Sequence, residues 1–195
     1  MKIEAEFVTS AAGNDDFPHQ TLPEVAFVGR SNVGKSSLLN ALVRQSVART
    51  SAAAGKTRLA NFYRVKRGVA PALYFVDLPG YGYARGGEAT AREFDRLIQA
   101  YFARPGLRAV LMLVDARHPG LESDRETWAW MESLPCPRAI VGTKVDKLTR
   151  AERTRNAREF HSVFDAPVPL VSAETGEGLD ELWKMIARLP SQTAA

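Results

Sequence analysis

Residues 24–37 read Glu-Val-Ala-Phe-Val-Gly-Arg-Ser-Asn-Val-Gly-Lys-Ser-Ser, an apolar run that passes directly into a glycine-rich turn. The next residues, 38–43, read Leu-Leu-Asn-Ala-Leu-Val, so the order predicts a strand, a phosphate-binding turn and a helix. Backbone N–H groups of the turn and the positive end of the helix can surround a di- or triphosphate. Lys35 can reach its outer phosphates, and the Ser36 hydroxyl can bind Mg²⁺. A chance glycine-rich turn is the alternative, but the complete Gly-x4-Gly-Lys-Ser pattern between a strand and a helix argues against it.

Composition limits the class of protein. The 195 residues are 45% apolar and 25% charged, which fits one globular domain with its own core. The formal charge of +4 and the pI near 9.4 allow a polyanionic partner without requiring one. A single cysteine, Cys136, excludes an internal disulfide, and the histidines His19, His118 and His161 lack the spacing of a zinc site.

The N-terminus and the apolar runs argue against secretion and membrane insertion. The chain begins Met-Lys-Ile-Glu-Ala-Glu, with acids where a signal peptide has an apolar core. Its strongest apolar run, at 109–114, is only six residues long. We therefore expect a cytoplasmic protein with no membrane partner.

Stretches with strand and helix periodicity alternate along the chain. Strands are predicted at 6–8, 24–28, 59–66, 72–76, 109–114, 138–142 and 168–171. Helices are predicted after the phosphate loop, over 89–103, from 123, from 149 to 164 and after Gly178. Capping boxes at 123–126 and 149–152 mark two of the helix starts. This alternation predicts a three-layer α/β domain with a mainly parallel sheet.

Two short motifs follow predicted strands and suit particular parts of a nucleotide. Asp77-Leu78-Pro79-Gly80 stands at a strand's carboxyl edge, where the aspartate can hold a magnesium-bound water and the glycine N–H can meet a terminal phosphate. Thr143-Lys144-Val145-Asp146 follows a later strand. The Asp146 carboxylate can accept hydrogen bonds from N1–H and the exocyclic amine of guanine, a donor pair that adenine lacks, while the Lys144 stem covers a face of the base. An unrelated Lys-x-Asp loop is the alternative, but its position after a phosphate loop and an Asp-x-x-Gly motif favours guanine.

Together these motifs resemble those of a small GTPase of the translation-factor type. They are most similar to the EngB (YihA/YsxC) family of bacterial GTP-binding proteins, within the TrmE-Era-EngA-EngB-septin-like superfamily. The residues that carry the resemblance are 29–41, 48–51, 55–57, 61–62, 77–84, 115–117 and 143–146. It implies a Ras-like P-loop GTPase fold with a mostly parallel six-stranded sheet and one antiparallel strand. It also implies an N-terminal arm packed on the domain at 1–22, a G domain at 23–190 and a short tail at 191–195.

The resemblance further implies roles for individual residues. Lys35 would be catalytic, Ser36 and Thr57 would ligate Mg²⁺ directly, Asp77 would act through water, and Thr57 would bind only in the GTP state. Gly80 would sense the γ-phosphate, and Ser172-Ala173 would touch the guanine oxygen. The residues expected to contact the nucleotide are Gly29, Arg30, Ser31, Asn32, Val33, Gly34, Lys35, Ser36, Ser37, Gly55, Lys56, Thr57, Asp77, Leu78, Pro79, Gly80, Thr143, Lys144, Val145, Asp146, Ser172, Ala173 and Glu174.

The sequence departs from the family pattern in three places. Ala53-Ala54 stands where a proline usually precedes Gly-Lys/Arg-Thr, which predicts a looser first switch loop. Arg58 replaces a usual glutamine beside it. Thr143 replaces the asparagine of most GTPases, a change common in EngB-like sequences.

Two residues bear on hydrolysis. Tyr81 follows Gly80, where many GTPases place a glutamine that orients the attacking water. A phenol cannot donate and accept as a carboxamide does, so we expect slow hydrolysis that relies on Lys35, Mg²⁺ and loop N–H groups. Asn32 matches GTPases that bind K⁺ beside the phosphates, and a cation there would replace an arginine finger, an effect of ~10³ to 10⁵ in rate. A role for Asn32 only in bracing the loop is the alternative.

The family resemblance implies a switch that assists assembly of the large ribosomal subunit, with a link to cell division and septation. The partners would be the subunit or its precursor, through rRNA and ribosomal proteins, and the protein would act as a monomer. Two alternatives are a GTP-regulated division scaffold without RNA contact and a P-loop phosphotransferase. Basic residues suited to RNA phosphates are Arg49, Arg58, Arg64, Lys66, Arg67, Arg85, Arg92 and Arg96 near the switches and Lys147, Arg150, Arg153, Arg155 and Arg158 further on.

Overall fold

A computed structural model describes residues 2–20, 22–49, 59–81, 87–104 and 107–188. The expectations for residues 50–58 and 82–85, and for the tail, lie outside these described residues. The elements, in chain order, are β1 (Ile3–Ala11), β2 (Glu24–Gly29), α1 (Lys35–Val43), β3 (Ala60–Arg67), β4 (Leu73–Asp77), α2 (Gly87–Ala103), β5 (Leu107–Asp115), α3 (Glu122–Met131), β6 (Arg138–Thr143), α4 (Arg150–Phe164) and α5 (Leu179–Arg188).

The six strands form one sheet in the order β1-β3-β4-β2-β5-β6. Strand β3 runs antiparallel to both of its neighbours, β1 and β4, while β4, β2, β5 and β6 pair in parallel. The mostly parallel six-stranded sheet with one antiparallel strand is therefore confirmed. Because the four parallel strands end at one edge, they bring Gly29, Asp77, Asp115 and Thr143 to the same side of the domain.

Strand β5 shows why the sheet needs helices on both faces. Val110, Met112 and Val114 belong to one buried apolar cluster, which includes side chains of α2, α3 and α4. Ala109, Leu111 and Leu113 belong to a second cluster, which includes side chains of α1 and α5. The continuous apolar run therefore buries alternate side chains in two separate cores, as strands of parallel sheets do. This arrangement is the expected three-layer α/β architecture.

Two of the expected strands differ from the structure. The strand-like piece at 6–8 is part of the nine-residue strand β1, whose acids Glu4 and Glu6 sit opposite Lys66 and Arg64 of β3 and obscure its apolar pattern. The strand expected at 168–171 is reduced to one bridge between Leu170 and Gly142, because Pro169 has no N–H to donate.

The two expected capping boxes differ in outcome. Thr149 and Glu152 form a reciprocal capping box at the start of α4. The box expected at 123–126 is wrong, because α3 already begins at Glu122 and Ser123 lies inside the helix. Within the described residues, no helix is long and apolar enough to cross a membrane.

Candidate nucleotide site

The phosphate loop connects β2 to α1 with two residues in the left-handed region. Asn32 has φ of 63° and Gly34 has φ of 104°, and Lys35 is the first residue of α1. The Lys35 ammonium donates to the carbonyl oxygens of Gly29 at 3.0 Å and Arg30 at 3.2 Å. Burial lowers the pKa of Lys35, although the Asp77 carboxylate opposes this shift. The loop thus surrounds a buried cation that lies within reach of bound phosphates.

Ser36 and Asp77 provide the oxygen atoms that a magnesium site needs. The Ser36 hydroxyl donates to Asp77 Oδ2 at 2.7 Å. The other oxygen, Asp77 Oδ1, is buried and has no hydrogen-bond partner among the described residues. Burial raises the pKa of Asp77, against the effects of Lys35 and Ser36. One hydroxyl and one carboxylate suit Mg²⁺, which does not need a full set of protein ligands. It retains several waters and takes its remaining ligands from phosphates.

A group of three or more His, Cys, Asp or Glu side chains able to hold a metal is absent from the described part of the chain. The donors that Ser36 and Asp77 supply fit Mg²⁺ in the company of phosphate oxygens.

Gly80 lies where the chain after β4 passes closest to the phosphate loop. A Cβ atom on Gly80 would come within 2.7 Å of the Ser31 nitrogen and 3.0 Å of Lys35 Nζ. The next residue fixes this approach, because the Tyr81 carbonyl accepts a hydrogen bond from the Ser31 N–H at 3.2 Å. Only glycine fits here without moving the loop, and the backbone of Gly80 lies beside the buried ammonium.

The Tyr81 side chain is held by α3. Its hydroxyl donates to Asp124 Oδ1 at 2.8 Å, and Asp124 itself is only 1% exposed. Burial, followed by the nearby Asp124 carboxylate, raises the pKa of Tyr81, so the phenol remains protonated. This contact makes Tyr81 an anchor between the phosphate-sensing segment and α3.

The segment after β6 is tied to the phosphate loop by two side chains. The Thr143 hydroxyl lies 2.8 Å from the Val33 carbonyl oxygen and 3.3 Å from that of Val114, so the shorter contact joins it to the loop. Lys144, with φ of 61°, donates from Nζ to the Asn32 carbonyl oxygen at 2.6 Å. The threonine that stands in place of the usual asparagine therefore makes a hydrogen bond to the phosphate loop.

Asp146 is an ionised acceptor whose orientation is fixed. Ser172 Oγ donates to Asp146 Oδ1 at 2.6 Å and itself accepts from the N–H groups of Glu174 and Thr175 at 3.2 and 3.0 Å. Lys147 Nζ lies 3.1 Å from Asp146 Oδ2. The Ser172 hydrogen bond lowers the pKa of Asp146 most strongly. An oriented carboxylate of this kind can accept the paired N–H groups at the guanine edge.

The expected site residues fall into three groups in the structure. Those in the phosphate loop, at 77–80 and at 143–146 lie at the carboxyl ends of parallel strands, and those at 172–174 follow the bridge between Leu170 and Gly142. Leu78 and Val145 are buried with the apolar core, so their side chains support the site from behind. Gly55, Lys56 and Thr57 lie outside the described residues.

Sequence reasoning assigned no role to three residues that bear on the site. Asp115 and Arg117 belong only to the family resemblance, and in the structure Asp115 forms ion pairs with both Arg117 and Lys144. The sequence predicts Asp124 only as part of a capping box, whereas its carboxylate holds Tyr81. The position of Asp115 at the end of a buried strand was the one available signal for it.

Similarity to known proteins decides the family. A family model described as 50S ribosome-binding GTPase matches residues 24–144. A probable GTP-binding protein EngB of Pelotomaculum thermopropionicum is 44% identical, with 96% of each chain covered. The chain belongs to the EngB family of GTP-binding proteins. It is thus a GTP-binding protein and a GTP-hydrolysing enzyme of the P-loop class. A probable GTP-binding protein EngB of Thermotoga maritima is also 44% identical, and the match covers 95% of this chain and 96% of the relative.

Solved structures share this fold. Two structures of Era each superpose with a TM-score of 0.75. An Aquifex aeolicus Era bound to GDP and AlF₄⁻ is 26% identical over 87% of this chain. Era with MgGDPNP and a segment of 16S ribosomal RNA is 28% identical over 88%. The present chain covers only 57% of either Era chain. A crystal structure of a probable GTP-binding protein EngB, at 19% identity, has a TM-score of 0.65 and is 99% covered, and it supports the fold alone.

Replacing Asp146 tests how the base is recognised. The substitution Asp146→Asn removes one of the two acceptors for guanine and supplies an amide donor, which suits the N1–H and O2 of xanthine. We expect the affinity for GTP to fall by about tenfold to a hundredfold, since hydrogen bonds to charged groups are the strong ones. We expect the affinity for XTP to rise. Titration of both nucleotides by calorimetry measures the two changes.

Asp165→Asn is the matched control, because Asp165 is an exposed aspartate with φ of 46° at the end of α4, a conformation that asparagine tolerates. It should leave both affinities unchanged. Retention of full GTP affinity by Asp146→Asn would contradict base reading by this carboxylate.

Proposed function

We propose that this EngB family GTPase is a slowly hydrolysing molecular switch that assists assembly of the large ribosomal subunit and is required for normal cell division and septation. The observation that carries the proposal is the match of residues 24–144 to a family of 50S ribosome-binding GTPases. The protein would act as a monomer in the cytoplasm, where its ribosomal partner is assembled. The geometry of the phosphate loop and of Asp146 supports the nucleotide part of this proposal.

We further propose that GTP and GDP bind together with Mg²⁺. Ser36 and Thr57 would ligate the ion directly, and Asp77 would act through a water molecule. The pairing of Ser36 Oγ with Asp77 Oδ2 at 2.7 Å and the MgGDPNP bound by the related Era support this assignment. When bound, Mg²⁺ neutralises charge on the phosphate oxygens. Lys35 and the loop N–H groups would stabilise the charge that develops during hydrolysis.

The slow intrinsic rate follows from the position of Tyr81. Its hydroxyl is committed to Asp124, and its phenol remains protonated. A side chain that donates to α3 is not available to orient a water molecule at the terminal phosphate. Rapid hydrolysis would then need an added group, from a bound cation or from the partner.

The same contacts suggest how the two nucleotide states would differ. The segment from Asp77 to Tyr81 touches the phosphate loop through the Ser31 N–H and through the close approach of Gly80. A γ-phosphate bound at Lys35 would meet this segment, whereas GDP would not reach it. The surface formed by this segment would therefore change with the nucleotide, as in other GTPase switches.

A monovalent cation is the first candidate for the added group, with Asn32 as its contact. Asn32 holds a left-handed backbone conformation and is exposed, so its side chain is open to solvent. We expect turnover of GTP to rise when Na⁺ is replaced by K⁺ at equal ionic strength, and we expect Asn32→Ala to remove the increase. Phosphate release measured in both salts provides the test. Equal rates in K⁺ and Na⁺ would eliminate the cation from the mechanism.

Some of the basic side chains form ion pairs with acidic residues in the structure, and others do not. Arg64 contacts Glu6, Arg67 contacts Asp180, and Arg153 contacts Glu177. Arg150 and Arg158 of α4 are exposed and have no ion pair within the described part of the chain. Binding of an unpaired arginine to a phosphate backbone costs less free energy, because no existing ion pair must break.

The exposed face of α4 also has a suitable shape. Between Arg150 and Arg158 the exposed residues are Arg155 and three small ones, Ala151, Thr154 and Ala157. Small residues between arginines allow a helix to approach a nucleic-acid backbone closely. The face of α4 is therefore our candidate contact with ribosomal RNA.

Sedimentation with large-subunit precursors tests the proposed partner. We expect co-sedimentation that is stronger with a non-hydrolysable GTP analogue than with GDP, and that weakens steeply with salt. Replacing both Arg150 and Arg158 with glutamine should weaken binding and reduce the salt slope by about 2, one unit for each lost phosphate contact. Arg64→Gln is the control, since Arg64 is paired with Glu6 and should contribute little.

The alternatives give other outcomes in the same experiment. A division scaffold without RNA contact would not sediment with ribosomal particles in any nucleotide state. A phosphotransferase would transfer the γ-phosphate of GTP to a small acceptor, not to water. Either result would overturn the ribosomal proposal, while leaving the GTP site in place.

A further inference from the structure

Asp115 lies at the carboxyl end of β5, directly opposite Thr143 of β6 in the strand register. Its side chain is 13% exposed and accepts from four donors. Arg117 grips both oxygens, with Nε 2.9 Å from Oδ1 and Nη2 2.7 Å from Oδ2, and its backbone N–H also reaches Oδ1 at 3.1 Å. Lys144 Nζ donates to Oδ2 at 3.0 Å. One carboxylate is thus shared by two cations.

The second acceptor for the Lys144 ammonium is in the phosphate loop. Nζ lies 2.6 Å from the Asn32 carbonyl oxygen. The Lys144 side chain therefore spans from β6 to the loop, with its end fixed between a carboxylate and a carbonyl. Its backbone adopts φ of 61°, a conformation that costs energy for a residue with a Cβ atom. Both features indicate that the position of this side chain is tightly determined.

We propose that Asp115 is a positioning residue for the guanine nucleotide: it fixes Lys144 across the base site and thereby ties the base-reading segment to the phosphate loop. Arg117 fixes the plane of the carboxylate and leaves Oδ2 oriented toward Lys144. The inference rests on the nucleotide site and not on the ribosomal partner.

The physical reason is preorganisation. A lysine side chain has high rotamer entropy, and a free one must be ordered when the base binds. Here the ammonium is already held at two points, so the stem lies ready to cover the base, and less of the binding free energy is lost in ordering it. Loss of Asp115 would leave Nζ with the Asn32 carbonyl alone among its present partners. We expect the consequence mainly in how fast the nucleotide leaves.

The charges around this carboxylate support its role at physiological pH. Although burial acts to raise it, the hydrogen bonds from Arg117 and Lys144 lower the pKa of Asp115 to about 2. Lys147 faces the other carboxylate of the site, Asp146. The hydrogen bonds that Arg117 donates to Asp115, followed by the charge of Asp115 and then that of Asp146, raise the pKa of Arg117. Asp115 is therefore ionised, and Arg117 remains charged, throughout the pH range of a GTPase assay.

The test replaces Asp115 with asparagine in the full chain and follows the release of a fluorescent GDP by stopped flow. We expect the dissociation rates of GDP and GTP to rise about tenfold, the cost of losing a hydrogen bond to a charged group. The kcat should change less than about twofold, because no reacting atom is touched. The preference for GTP over ATP should persist, because Asp146 is unchanged. Asp180→Asn, which removes another aspartate that faces an arginine, is the control and should release GDP at the normal rate.

A double-mutant cycle separates positioning from a general structural role. Lys144→Met keeps an apolar stem but removes the ammonium, and it leaves the Asp115–Arg117 pair in place. We expect it to accelerate release by itself, and the Asp115→Asn/Lys144→Met double variant to release GDP no faster than Lys144→Met. This single variant also keeps the test decisive if Asp115→Asn fails to fold. Unchanged GDP release from Lys144→Met, or effects of the two substitutions that simply multiply, would overturn the proposal.

Discussion

Two hydrogen bonds from the end of β6 to the phosphate loop are the constraint on which the site depends. Thr143 reaches the Val33 carbonyl and Lys144 reaches the Asn32 carbonyl, so the segment that reads the base and the loop that holds the phosphates are joined side chain to backbone. A nucleotide that contacts both the base-reading segment and the phosphate loop must match the distance that these hydrogen bonds set between them. The left-handed conformations of Asn32 and Lys144 aim these groups at each other. Base recognition and phosphate binding are therefore parts of one rigid unit.

The sheet provides the foundation for this unit. Parallel strands that bury alternate side chains in two cores have little freedom to shift in register, and their carboxyl ends present Gly29, Asp77, Asp115 and Thr143 along one edge. Packing then allows a costly arrangement, in which Lys35 and Asp77 are both buried. Burial lowers the pKa of the first and raises the pKa of the second. The phosphate charge of a bound nucleotide would offset this cost at Lys35.

Much of this could be predicted from the sequence, because the motifs are local. Each motif of the site is contiguous in sequence, which holds for the phosphate loop, Asp77–Gly80 and Thr143–Asp146. The alternation of strand and helix patterns is enough to predict the fold. The missed features depend on residues far apart in the chain. Nothing near Tyr81 indicates that its hydroxyl would meet Asp124, 43 residues later, and nothing near Asp115 indicates that Lys144 would share its carboxylate. The edge strand β1 is longer than its apolar pattern predicts, because its exposed acids Glu4 and Glu6 stand opposite basic residues of β3, which is distant in the chain.

The central claim is that a single rigid site selects guanine by Asp146 while it holds the phosphates around Lys35. The most direct measurement is calorimetric titration of the purified protein with GTP, GDP and ATP in the presence of Mg²⁺. The account predicts that GTP and GDP bind and that ATP binds on the order of 10⁴-fold more weakly, since its base cannot pair with the carboxylate. Equal affinity for ATP and GTP, or no binding of either, would contradict it.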